Sequence, residues 1–566
     1  MDDSRWRDVC CANALALGRC VMSGSFLPFN LLSQKALSMT FRSLHKIVVP
    51  FVVMGISAFP SHAQDIDRAV GAFQSGDYED AASLFYAILR FEEDPSLIAE
   101  SQYGLAASFA KLGLHLAALK SYEDIVREGS DHPYFDKGVE GLLDVAREMR
   151  DDLKTPQVID GMYEDNISAL EKMSPEILQR VHYVIGKNSF NRGNIRDARD
   201  FLRTVKPGNI AYPQAQYLLG LIRLGVGRAD NPKPKYEKAF EHFRNARDSI
   251  SMDTKDERLR SLRDMAVLGI ARTHYEQAYL LEEGDPKREK GLKAAIRLYR
   301  LIPRFSEAWS QALFERGWAH TVNNEYGKAL GALHSLEAPY FQEYFYPEAN
   351  ILRAIIYYYN CQWDRVNDVL ETTKGTYQPL VDQLQSLLES DYDLEEWYFL
   401  LNKSLEAGMG HTDDKLIPWS VARHLVRDPK FQNLERFLLQ LEREATVFGE
   451  SEAFSRSEMG REMTDSSLEG RKRFLKVIGK HVSNKLKGIT QELNDITTRA
   501  SLVSLETKTA ETQWLEQGRE ISGQVRSRLP RPYIPDETFQ FWWFRDEYWI
   551  DELGYYEYSI KTECYE

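Results

Sequence analysis

Cysteine is scarce in this chain. Cys10, Cys11 and Cys20 crowd its first residues, so only Cys361 and Cys564 of its five lie beyond residue 63. Two thiols cannot build a metal cage alone, and no His-Glu-x-x-His helix supplies other ligands. A Gly-x-x-x-x-Gly-Lys phosphate loop and a Gly-x-Ser-x-Gly nucleophile turn are missing as well. The twelve histidines are scattered; His182, His242, His274 and His320 stand singly on helical segments, where packing is a commoner role than ligation. Carboxylates abound without marking an acid/base pair. No catalytic residue, metal ligand or cofactor is expected, and a hydrolase would have to reveal itself by a buried polar cluster. Positive charge is also in deficit. The formal net charge of −14 argues against a nucleic-acid binder, which needs a concentrated basic face.

Long apolar runs are nearly absent too. The one candidate, Ile47 to Phe59, follows Arg42, His45 and Lys46, is shortened by Pro50 and Gly55, and ends at Ser61-His62-Ala63. That order is the pattern of a secretory signal, so residues 39–63 are expected to direct export to the periplasm. An inner-membrane anchor through residues 47–59 is the rival, disfavoured because fewer than about 18 apolar residues span a bilayer poorly. Residues 1–38 fit no signal and read as an extension, with Met39 as the expected start. Arg19-Cys20 lacks the small residue of a lipidation site. Without residues 1–63, which carry six Lys/Arg and three Asp/Glu, the balance becomes 65 against 82, or −17. In an oxidising compartment Cys361 and Cys564 would be available to bridge, if the fold brings them together.

From residue 64 to 390 one unit recurs. A small residue on a first helix is followed by a turn, a small residue on a second helix, and a bulky apolar residue four positions on. The second-helix positions are Ala81, Ala118, Ala198, Ala239, Ala295, Ala329 and Val366, followed by Phe85, Tyr122, Leu202, Phe243, Tyr299, Leu333 and Leu370. On the first helix Ala69, Ala106, Gly186, Gly317 and Ala354 let two antiparallel helices approach closely. Tyr78, Tyr236, Tyr326 and Trp363 stand near the start of the second helix, and Pro207, Pro303 and Pro339 close units. Cys361 takes the turn position held elsewhere by Gly76, Gly113 or Gly193. The segment 131–175 is helical but off-pattern. Gly225–Lys235 and Glu282–Lys290 read as inserted loops, which either carry contacts or are merely tolerated.

Over residues 66–374 this spacing resembles the tetratricopeptide repeat family, with a generic helical repeat of another name as the alternative. The resemblance implies a superhelix of helix pairs whose concave face holds a peptide or a partner protein.

The last repeat is dense in aromatics, from Tyr344-Phe345-Tyr346 to Tyr357-Tyr358-Tyr359. Helical period places Ile351, Ala354 and Tyr358 on one side, which leaves Tyr357 and Tyr359 as candidates for a partner-facing groove. Residues 391–429 read as connector helices. Between Pro429 and Pro530 no proline occurs, and Leu486, Ile489, Leu493, Ile496, Ala500 and Val503 alternate threes and fours. A break near Gly449–Ser467 would fold residues 430–529 into a protruding, coiled-coil-like antiparallel hairpin; a dimeric coiled coil is the alternative. Basic residues from Arg471 to Lys487 form either a solvated face or a contact with anionic lipid or an acidic partner.

The tail, residues 530–566, contains Phe541-Trp542-Trp543-Phe544 and Tyr548-Trp549-Ile550. Such a run either packs back on the protein or docks on a partner. Trp542, Trp543, Tyr548 and Trp549 are the candidate contacts. The blocks Phe345-Tyr346-Pro347-Glu348-Ala349 to Tyr359-Asn360-Cys361 and Glu547-Tyr548-Trp549-Ile550-Asp551-Glu552-Leu553-Gly554-Tyr555-Tyr556 resemble tetratricopeptide proteins associated with adventurous gliding motility in deltaproteobacteria. That resemblance implies a periplasmic component of a trans-envelope machine. The expectation is therefore an all-α protein: a tetratricopeptide-like solenoid, a long helical hairpin and an aromatic tail. Its role would be that of a non-catalytic scaffold for envelope proteins, with a lipid- or peptidoglycan-contacting maintenance factor as the alternative and the oligomeric state open.

Overall fold

A computed structural model describes residues 62–225, 234–341, 344–516, 534 and 536–564. The expected extension, the signal segment except His62 and Ala63, most of the Gly225–Lys235 loop and residues 517–529 of the expected hairpin lie outside the described residues. All regular elements among the described residues are helical. In chain order they are α1 (His62–Ser75), α2 (Tyr78–Phe91), α3 (Pro95–Lys111), α4 (His115–Glu128), α5 (Phe135–Met149), α6 (Thr155–Tyr163), α7 (Ile167–Leu170), α8 (Pro175–Asn191), α9 (Ile195–Leu202), α10 (Tyr212–Leu224) and α11 (Tyr236–Asp248). Then follow α12 (Glu257–Tyr279), α13 (Pro286–Arg300), α14 (Trp309–Val322), α15 (Tyr326–Ser335), α16 (Glu348–Tyr359), α17 (Trp363–Glu389), α18 (Glu396–Ala407), α19 (Trp419–Val426), α20 (Pro429–Glu450) and α21 (Glu458–Glu516). Short 3₁₀ turns intervene at Gly129–Asp131, Glu164–Asn166 and Pro339–Phe341.

The helices pair as the spacing predicts, α1 with α2, α3 with α4, and so on through α16 with α17; the segment 131–175 supplies the irregular α5 and α6. All seven second-helix small residues are fully buried, and so are the bulky residues four positions on. Burying one such side chain contributes about 1.5–3 kcal/mol, so the array is held by its own periodicity. The bulky residue works in two ways. Phe85 and Tyr122 reach forward, lying where a Cβ on Gly104 or Gly141 would sit 2.4 Å from their rings. Leu202 and Phe243 fill the gap within their own pair, against Gly186 and Gly220. Tyr78, Tyr236, Tyr326 and Trp363 are each the first residue of their helix. The expected loop Glu282–Lys290 is shorter than the sequence suggests: Pro286 opens α13 at a position where its missing N–H costs nothing, and Asp285 caps the helix by accepting from Lys287 N.

The chain divides into two compact units. One comprises residues through Ser249 with Leu439–Gly470; the other comprises Ile250–Leu438 with Arg471 onward. In the first unit the hairpin tip is held by side chains. Phe448 packs edge-on to Phe109 at 5.6 Å, Tyr86 donates to Glu462 at 2.6 Å, and the Glu444 carboxylate accepts from Leu116 N (2.7 Å) and Ala117 N (3.0 Å). Those two amides open α4, whose N-cap Leu114 has no side-chain acceptor, so Glu444 caps a helix 327 residues away in sequence.

Within each unit the hairpin is packed against its own surroundings. Its break is short, residues 451–457, and α21 runs unbroken for 59 residues. In the second unit its seam, including Leu486, Ile489, Leu493, Ile496 and Ala500, is buried within the chain. A Cβ on Gly479 would lie 1.6 Å from Leu394 O, so helix and connector touch main chain to main chain. Asp428 accepts from His481 (2.9 Å) and Lys485 (2.5 Å); burial opposes its charge, but these bonds hold its carboxyl well below the usual range. A seam that is filled internally has the same spacing as one awaiting a second strand, which is why periodicity alone could not separate them.

Candidate interaction site

The second unit presents an aromatic strap on a bed of small residues. On α15, Gly327, Gly331 and Ser335 recur every fourth position and so share one face. Residues 554–564 cross that face. A Cβ on Gly331 would fall 1.7 Å from Tyr556 O, and one on Gly327 would fall 2.3 Å from Tyr558 O, so only glycine admits the strap this closely. Main-chain groups do most of the holding. Tyr558 N donates to Gly327 O at 3.0 Å and Glu563 N to Asn360 O at 3.0 Å. Gly554 N donates to Ser335 Oγ at 2.9 Å, and Gln362 Nε2 donates to Lys561 O at 2.7 Å. Arg316 of α14 donates to Gly554 O at 2.5 Å; burial and the nearby Arg300 press its guanidinium down to about 10.

The tail's rings gather on His334. Phe544, Tyr548, Tyr556 and Tyr558 lie at 4.5, 4.9, 5.2 and 5.5 Å from its imidazole, and the Tyr558 hydroxyl meets Nδ1 at 3.2 Å. Burial pushes the Tyr558 phenol up to about 12. Beneath it Glu337 is paired with Arg353 at 2.5 Å; burial resists its charge, but His334 and Arg353 keep its carboxyl below the ordinary value. Trp542 stacks on Trp549 at 5.2 Å, and Trp549 N donates to the Tyr556 hydroxyl at 3.0 Å.

The strap ends in a covalent bond. Cys361 and Cys564 form a disulfide with Cα atoms 5.2 Å apart. Cys361 occupies the α16–α17 turn at φ 55°, a left-handed position that Gly76, Gly113 and Gly193 fill at 88°, 72° and 81° in earlier pairs, and that Asn324 fills at 59°. Glycine and asparagine are residues that tolerate this region; cysteine is not.

The sequence candidates separate cleanly. Tyr357 is 7% exposed, lies under the Arg365 guanidinium, and so offers no ring to a partner, whereas Tyr359 is 46% exposed. Trp542 and Tyr548 are half-buried in the cluster. Trp543, beside Phe541, is exposed at 55%; Trp549 is exposed at 46% and forms a ledge with Ile550 and Tyr555, at 60% and 54%. Arg304 joins that ledge to the repeats: it lies over the rings of Phe305 and Tyr555 and donates to Ile550 O. Of the basic stretch, Lys485 is paired with Asp428 and Lys476 approaches Glu395 at 3.6 Å, while Lys472, Lys480 and Lys487 are exposed.

A deeply buried ion pair links successive repeats of this unit. Arg272 of α12 engages both oxygens of Glu315 on α14 at 2.6–3.1 Å. Each charge compensates the other across successive helix pairs, an arrangement that ties repeats together. Among the described residues no group of three or more His, Cys, Asp or Glu could hold a metal, and no helix is long and apolar enough to cross a membrane.

The architecture is a tetratricopeptide-like helical solenoid of antiparallel helix pairs. No protein-family model and no curated protein matches the chain. Among solved structures it is similar to the apo form of RapI (13% identity, 73% of this chain and 98% of that one, TM-score 0.29). It is also similar to a Rap protein complexed with competence and sporulation factor (14%, 74% and 99%, TM-score 0.24), and to yeast Tom70 (15%, 80% and 96%, TM-score 0.19).

Proposed function

We propose that this protein is a non-catalytic scaffold of a cell-envelope complex, exported to the periplasm, where it grips partner proteins. The observation that carries the reading is the exposed ledge of Trp549, Ile550 and Tyr555, which Arg304 joins to the 47%-exposed Phe305 on the last repeats. Rigid amphipathic rings on a solvent face are what protein interfaces are enriched in. The periplasmic assignment draws on the export pattern of residues 39–63 and on the Cys361–Cys564 bond, since such bonds persist in oxidising compartments. A place in gliding machinery, or in a related trans-envelope assembly, follows from the resemblance of the tail and last-repeat blocks.

Affinity capture from intact, cross-linked cells tests this, using wild type and a Trp549→Ala/Tyr555→Ala double variant. Envelope proteins recovered with wild type and lost with the variant support the reading; recovery of none, or equal recovery, sinks it. The exposed Lys472, Lys480 and Lys487 favour one second reading, contact with an anionic lipid or wall surface. Co-sedimentation with anionic liposomes or purified wall that disappears at high salt would mark it.

A further inference from the structure

The strap is bound the way an extended peptide is bound by a receptor: main chain to main chain, over glycines, with rings dropped into place at intervals. Little of that recognition depends on the strap being part of this chain. Its one permanent tie is the bond between Cys564 and a turn cysteine held at a backbone angle its sister repeats assign to glycine or asparagine. A residue with a strained backbone, kept where glycine would be easier, indicates that the thiol itself is what the position requires.

We propose that the α14–α16 surface is a groove for an extended polypeptide, that residues 554–564 are its built-in occupant, and that the Cys361–Cys564 bond sets whether this occupant can be exchanged. The incoming partner is an extended segment that offers main-chain groups to Gly327 O, Ser335 Oγ and Arg316, with aromatic side chains spaced to reach His334, as Tyr556 and Tyr558 do. Opening the bond consumes two electrons and two protons from a dithiol reductant, which leaves as its own disulfide, while Cys361 and Cys564 become thiols. After opening, the tethered strap still competes at an effective concentration near millimolar, so exchange is graded and not all-or-none.

The proposal deepens the scaffold reading by naming the class of partner, but its test needs no cellular partner, so its failure would leave the capture experiment standing. A fluorescein-labelled synthetic peptide of residues 551–563 is titrated by anisotropy against the oxidised full chain, the chain reduced with dithiothreitol, and a variant ending at Glu552. Binding should be strongest on the shortened chain, weaker by about tenfold or more on the reduced chain, and undetectable on the oxidised one. Gly331→Ala in the shortened chain should abolish it, because a Cβ there occupies the seat of the Tyr556 carbonyl. Equal binding to oxidised and reduced protein, or undiminished binding to Gly331→Ala, overturns the proposal. So does failure of the folded, shortened chain to bind. Should the shortened chain not fold, chymotryptic cleavage after Tyr556 and Tyr558 decides on the intact protein: cutting must accelerate by about tenfold on reduction, and an unchanged rate overturns it.

Discussion

The two segments that fold back on the repeats do so by opposite means. The hairpin tip holds the first unit through side chains: the fully buried Phe448 against Phe109, and the Glu444 carboxylate on the amides that open α4. The tail holds the second unit largely through its own main chain, which bonds to Gly327, Asn360, Ser335, Arg316 and Gln362 and passes closely over Gly331, with rings gathered on His334 and one disulfide closing it. Side-chain interdigitation is specific and cannot be lifted off without leaving a cavity, whereas a main-chain strap can be lifted off and laid back. One attachment is part of the core; the other is a ligand that happens to be covalently connected.

Four experiments break or sharpen that contrast. Every tryptophan after Trp6 lies at or beyond Trp309, so in a chain without residues 1–63 indole fluorescence reports the second unit. The largest effect is expected from Cys564→Ser. The bond closes a separation of 203 residues, and its loss should lower the unfolding free energy of the second unit by about 5 kcal/mol in a chain-entropy account, read by fluorescence in urea. An unchanged midpoint would mean the tail contributes no constraint. Next, Phe448→Ala should cost about 3–4 kcal/mol in the first unit, seen by circular dichroism while the indole transition stays in place.

Glu444 offers a pH test. Burial raises its carboxyl to about 6 from 4.5, against hydrogen bonds from Gln440, Leu116 and Ala117 that favour the charged form. The folded state therefore holds this proton more tightly than the unfolded state. Its contribution is fully present below pH 4.5 and is lost as pH rises through about 6. The first unit should lose roughly 2 kcal/mol across that window, and Glu444→Gln should flatten the slope. A slope that survives the substitution assigns it to other groups. The smallest effect on stability belongs to Gly331→Ala. A helix gains slightly from alanine, so the α14–α15 pair should unfold within about 1 kcal/mol of wild type, while the strap lifts and Tyr555–Tyr558 become protease-sensitive. A destabilisation several times larger would show that the strap belongs to the core after all.

Much of the repeat array was legible because its constraint is local: Ala81, Ala118 and their counterparts must be small where two helices cross, and each is fully buried. The strap's bed was not read, although Gly327, Gly331 and Ser335 stand four apart in plain view. Small residues on a helix look alike whether they admit a neighbouring helix or an extended chain, and only the fold shows that the tail is the visitor. The same ambiguity made the α21 seam look like an exposed arm. Tyr357 and Tyr359 differ by two positions, about 200° around a helix, and which of them faces inward depended on a neighbour the sequence could not place. Glu444 had no signature at all, since a cap supplied from 327 residues away leaves no spacing to read.

The strap also acts as a ruler. Tyr558 is fastened to α15 and Lys561 to the turn that follows α16, and three residues can span no more than about 11 Å. Helical arrays ordinarily evolve by gaining or losing units, each adding roughly 20 Å at two axis spacings. A duplication between these anchor points would outrun the tether, so this end of the array has a fixed number of repeats that its own terminus measures.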